Sequence, residues 1–254
     1  MSSRIMRMLT FAGDWSMFSA RAIRDAFRPP YELAETVRQI YEMGSRSVPL
    51  IAVSGFAVGI VLSMHTRASL ERFGAEALIP AGLGIALVRE TGPLTAGLLL
   101  SGRIGAGIGA ELAAMKVTEQ IDALEALAVD SFKFLVVTRV VACVIAVPIL
   151  TTLMNFTGML GGYVAETVRT GVPLGAYFDQ AFSLVQFSDL IPSTLKTAVF
   201  GFIIASVGSY LGVNASGGTA GVGRASTHSV VLASMLLIAA NVVLVRLIFF
   251  FYPA

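Results

Sequence analysis

Arg89 and Glu90 sit inside an otherwise apolar run, and Lys196 stands in another such run. Counted from Ala77, where the first run begins, Glu90 lies about 20 Å along a helix that rises about 1.5 Å per residue. That depth falls within a hydrocarbon core about 30 Å thick, where a charge costs at least about 3 kcal/mol. Arg89 cannot neutralise Glu90 on one helical face, because sequence neighbours point about 100° apart. Glu90 therefore needs water or a partner from another segment, and Lys196 is the candidate by depth. Two roles are open: an ion pair that locks two helices, or a polar switch at a conformational joint. Gly92-Pro93, directly after the pair, can bend the helix.

A second chemical feature is acidic. From Lys116 to Ala128, the residues Val117, Ile121, Leu124 and Ala128 recur at helical spacing and form one apolar stripe. Glu119, Asp122 and Glu125 form another face of the same helix. It is too short to span a bilayer. Its acidic face is either solvated or the docking element for a cytoplasmic partner that drives the membrane helices.

Catalytic constellations are missing from the sequence. It has no G-x-x-x-x-G-K-[ST] loop for ATP and no H-E-x-x-H pair. Gly105-Ala-Gly107-Ile-Gly109 follows no strand. His65 and His228 are isolated, and Cys143 is the single cysteine. The expectation is a chain that is not an enzyme and holds no metal or cofactor.

The elements that position these residues are membrane helices. Of 254 residues, 56% are hydrophobic and only 13% charged, against about 25% charged in soluble domains. With a net charge of +2, no nucleic-acid surface is implied. Residues 1–44 read as amphipathic helices. In the first, Ile5, Met8, Ala12 and Trp15 alternate with Arg4, Arg7, Arg21, Arg24 and Arg28, the pattern of a helix lying in a membrane interface. Tyr31 to Met43 is a second short helix with Gly44 as its cap. A cleaved signal peptide is not expected. Residues 45–254 hold five apolar spans: Val48–Met64, Ala77 to about Ala110, Phe134–Ala165, Leu190–Val213 and Ser229–Tyr252. The segment before the first span carries seven Arg, which places the N-terminus in the cytoplasm and, after five crossings, the C-terminus outside. Gly55/Gly59, Gly105/Gly109, Gly158/Gly162 and Gly208/Gly212 predict close helix packing. The fold expected is an all-α integral membrane protein. It forms a single domain over residues 1–254, with a short cytoplasmic helix at about 114–129 between spans two and three.

The run RETGP…SGRIGAGIGAELAAMKVTEQIDALEALAVD, with GVGRASTHSVV before the last span, closely resembles the MlaE/YrbE permease family. Members are the membrane subunits of ABC-type phospholipid transporters that work with MCE proteins. The resemblance implies a homodimer in a bacterial inner membrane, with cytoplasmic ATPase subunits below and a periplasmic ring of MCE-domain protein outside. It implies that Glu119, Gln120, Asp122, Ala123 and Glu125 engage the ATPase. It implies that Leu62, Ser69, Leu70, Phe73 and Leu78 line a phospholipid cavity, and that Arg89, Glu90 and Lys196 stand at family charge positions near the lipid path. Such systems move phospholipid between inner and outer membranes and maintain outer-membrane lipid asymmetry. The competing class is an ion-coupled secondary carrier with Glu90 as its titrating group.

Overall fold

A computed structural model describes residues 2–251, and among them every regular element is helical. The side chains of residues 2–5, 7 and 8 lie outside the described set, among them Arg4, Ile5, Arg7 and Met8 of the basic pattern, as does Tyr252. Helix α1 is Ser2–Ala26, α2 Leu33–Ser45 and α3 Val48–Leu70. A long helical stretch, Glu76–Val117, is assembled from α4 (Ile79–Ala86), α5 (Gly92–Leu100) and α6 (Ala106–Val117). The joints are π-helical turns at Leu87–Thr91 and Ser101–Gly105. After α7 (Gln120–Ala126) come α8 (Thr138–Thr170), α9 (Leu174–Ser183), α10 (Phe187–Val213) and α11 (Gly218–Phe251). Five stretches, Leu33–Phe73, Glu76–Val117, Phe132–Thr170, Phe187–Val213 and Gly218–Phe251, are long and apolar enough to cross a bilayer. The protein is an all-α, multi-pass membrane protein.

The chain packs as two compact units. The first comprises Met1–Met43, Leu100–Ala146 and Phe200–Leu237. In it α1 is held by aromatic edges: Phe18 meets Phe132 at 5.1 Å and Tyr210 at 5.4 Å, and the Arg21 guanidinium lies 4.0 Å over the Phe132 ring. Met6, Leu9, Met17 and Ile23 of α1 remain exposed. Arg139, fully buried, is neutralised by Glu111 at 2.8 Å and donates to the Leu135 carbonyl at 2.7 Å. Cys143 is buried with its sulfur 3.4 Å from that of Met43.

The second unit comprises Gly44–Leu99, Val147–Val199 and Ile238–Ala254. Here α3 and α8 touch backbone to backbone, and a Cβ on Gly59 would overlap the Gly158 carbonyl. Leu83, Leu87, Val88 and Met159 form its apolar centre. Helix α9 packs on α4 where the Ala181 backbone meets Gly84, and its Tyr177, set against Tyr163 of α8, has a buried phenol whose pKa is raised by desolvation.

Several helix limits differ from the sequence reading. Helix α3 runs through His65 and Arg67 to Leu70 rather than stopping at Met64, because Arg67 is neutralised inside the protein. Gly44 is not a left-handed cap; α2 continues through it to Ser45. The acidic helix expected at about 114–129 is broken. Thr118 bonds its hydroxyl back to the Ala114 carbonyl at 2.9 Å, and Glu119 takes the left-handed conformation (φ 59°). Helix α7 therefore starts afresh at Gln120.

Candidate functional site

Pro93 shapes the charged site. It has no N–H to offer the carbonyl four residues back, that of Arg89. The chain answers with the Leu87–Thr91 π turn, in which the Gly92 N–H bonds the Leu87 carbonyl instead. The Arg89 carbonyl left over accepts a hydrogen bond from the Lys196 ammonium at 2.8 Å. The same ammonium reaches Glu90 Oε2 at 2.7 Å, and Asn241 of α11 donates its Nδ2 to Glu90 Oε1. Three helical segments thus converge on Glu90. Gly92 permits the approach of α8, since a Cβ there would strike the Asn155 side chain.

Arg89 points elsewhere, as adjacent residues must. Its Nη2 lies 2.7 Å and its Nε 2.8 Å from Asp189 Oδ1. Asp189 occupies the first turn of α10, where a carboxylate is favoured, and its other oxygen accepts the Gln186 N–H at 3.1 Å. Exposure divides the cluster: the Lys196 side chain is only 2% exposed, while those of Glu90 and Arg89 are 43% and 39% exposed. The exposed parts face a cavity of about 740 Å³. Ser193, Gln186 and Ser188 add polar groups to its wall, and Ile85, Val245, Ile248 and Phe249 make the rest apolar. A strongly polar end against an apolar wall suits an amphipathic molecule.

The other sequence-derived positions fall elsewhere. Leu62 packs against the Leu83–Met159 core of the second unit. Ser69, Phe73 and Leu78 are exposed and Leu70 is half-buried. None of these five lines the charged cavity. Gln120, Asp122, Ala123 and Glu125 of α7, with Glu119 before it, are exposed while Ile121 is buried. Glu125 accepts from Ser131 at 2.6 Å, and Asp122 from Lys116 at 2.9 Å.

Sequence reasoning missed two residues of the charged site and one buried bridge outside it. Asp189 lies 100 positions from its partner Arg89, a separation that no local pattern bridges. Asn241 was visible only as a lone amide in the last span. A buried bridge also joins α3 to α8: Glu166 accepts from Ser63 at 2.9 Å and from Arg67 through both Nε (3.3 Å) and Nη2. Glu76 lies 3.6 Å from Arg67 on its other side.

Among the described residues no cluster of His, Cys, Asp or Glu could hold a metal ion. The family profile "Permease MlaE" matches residues 36–247. A probable ABC transporter permease of Rickettsia felis is 37% identical over 97% of this chain and 95% of its own. One of Synechocystis is 33% identical over 84% of this chain and 81% of its own. The Haemophilus influenzae protein named intermembrane phospholipid transport system permease protein MlaE is 30% identical over 84% of this chain and 82% of its own. With the profile matching residues 36–247 and relatives matched over most of their own length, this chain belongs to the MlaE permease family.

Proposed function

We propose that this permease is the membrane subunit of an ABC-type transporter that moves phospholipid between inner and outer membranes and so maintains lipid asymmetry. The observation that carries the reading is the cavity of the second unit: paired charges at Arg89, Glu90, Asp189 and Lys196 against an apolar wall. A phosphate-bearing headgroup meets the part-exposed Arg89 guanidinium there, and acyl chains meet the wall. The Haemophilus relative, whose name specifies phospholipid, supports the same substrate.

In this reading α7 is the socket for a separate cytoplasmic ATPase, met by Glu119, Gln120, Asp122, Ala123 and Glu125. The helical stretch Glu76–Val117 carries Arg89-Glu90 and is followed in the chain, after the break at Glu119, by α7. The whole chain works as one permease domain, as a homodimer in the bacterial inner membrane. Its N-terminus is cytoplasmic and its C-terminus periplasmic, beneath a ring of MCE-domain protein. Residues Leu62, Ser69, Leu70, Phe73 and Leu78 then face lipid where two copies meet. The competing reading, an ion-coupled carrier built on Glu90, predicts transport without a partner ATPase.

The test is purification in mild detergent with the products of neighbouring genes, followed by mass spectrometry of retained lipid. Co-isolation of an ATPase and phospholipid is expected, with the ATPase lost on Asp122→Lys/Glu125→Lys. A lipid-free protein that transports without any ATPase would refute the proposal.

A further inference from the structure

Lys196 lies on the wall of two cavities. On one side is the charged chamber; on the other is a groove of about 550 Å³ between α10 and α11. The groove is lined by Pro192, Leu195, Val199, Leu244 and Leu247, and it shares Lys196, Ile248 and Phe251 with the chamber. Apart from the Lys196 stem, every lining side chain is apolar. The Lys196 ammonium is turned toward Glu90, so its methylene stem faces the groove. On each helix the lining spans seven residue steps, Pro192 to Val199 and Leu244 to Phe251, about 10 Å of helix.

We propose that this α10–α11 groove is an acyl-chain site continuous with the charged chamber, so that one phospholipid is held with its headgroup beside Arg89 and Lys196 and a chain lying along Leu195, Leu244 and Leu247. The occupant follows from the continuity: a groove with no hydrogen-bonding group of its own, opening into a polar chamber of paired charges, is complementary to a molecule with a charged headgroup and an apolar chain. Ile248 and Phe251, common to both cavities, form the partition past which the chain slides. The α10–α11 face then gives lipid a lateral route to the charge cluster. This inference rests on the phospholipid reading and adds a location to it.

The experiment places the photoreactive residue benzoylphenylalanine singly at Leu195, Leu244 or Ile238 in the full chain, reconstituted in phosphatidylethanolamine–phosphatidylglycerol vesicles. Ile238 is an exposed α11 residue outside the groove and reports bulk lipid. Lipid adducts at Leu195 and Leu244 are expected at several times the Ile238 level, and are expected to fall to that level in Lys196→Met. Leu247→Trp, at an exposed position that needs no repacking, is expected to do the same. Equal labelling at all three positions, unchanged by either substitution, overturns the groove, as does a crosslink from Leu244 to a second copy of the chain. Phospholipid retained by the purified protein in either case shows that the general reading survives without the groove.

Discussion

Removing the charges of Glu90 and Lys196 one at a time, and then together, separates their structural and functional roles. In Glu90→Gln the Lys196 ammonium, 2% exposed, loses its counter-charge. A buried charge left unpaired costs about 3–5 kcal/mol. In Lys196→Met the stranded carboxylate is Glu90, which is 43% exposed to the chamber and keeps Asn241. Solvent screening lowers the cost to about 1–3 kcal/mol, part of which is the Arg89 carbonyl that Pro93 cannot serve. The double variant buries no lone charge and retains only the orphan carbonyl, so it should be more stable than Glu90→Gln. The expected coupling is at least about 2 kcal/mol. For a chain this size each kcal/mol moves the midpoint about 2–4 °C, so Glu90→Gln should melt on the order of 10 °C below wild type. Thermal unfolding in lipid nanodiscs reads stability, and transfer of fluorescent phospholipid with the assembled ATPase reads function. If the losses simply add, the pair is not coupled and the geometric reasoning fails. If the double variant recovers stability and transports normally, the pair is a lock and nothing more.

Arg67→Ala should cost about 3–5 kcal/mol by stranding the buried Glu166 carboxylate, and Arg67→Ala/Glu166→Ala should recover much of it; equal melting of single and double variants would contradict this. Gly59→Leu should abolish the α3–α8 contact, because the Gly158 backbone stands where the side chain must go; loss of monodisperse protein on gel filtration is the expected result. Glu119→Gly should leave stability unchanged or raise it by up to about 1 kcal/mol, since Glu119 holds a left-handed φ of 59°. Glu119→Val should lower it, and a reversed order would mean that the α6–α7 break does not depend on that conformation. Phe132→Ala should loosen α1 by removing the ring beneath Arg21 and beside Phe18; a red shift of Trp15 emission reports it.

The five spans could be read from the sequence because each is a long apolar run, and lipid enforces such runs. Their ends could not. Arg67 looks like a loop residue until Glu166, 99 positions away, supplies its counter-charge. The prediction that Glu90 requires a distant partner followed from the cost of a lone charge and the 100° offset of Arg89. Depth alone pointed to Lys196, and the structure brings the two within 2.7 Å. Pro93 signalled a disturbed helix, but a π turn repaired by a lysine from another helix depends on packing that local sequence does not encode. Asp189 and Asn241 were invisible as partners for the same reason. The acidic helix was legible as a pattern, yet periodicity is blind to a single left-handed residue, and so it missed the break at Glu119.

The burial of Cys143 has a practical consequence. Thiol reagents act on accessible thiolates, and this chain's one sulfhydryl is wholly enclosed beside Met43. The native protein is thus already a silent background for site-directed spin or fluorophore labelling. Probes introduced at Phe73, Glu125 or Leu244 can report on the moving transporter without first stripping the sequence of its own cysteine.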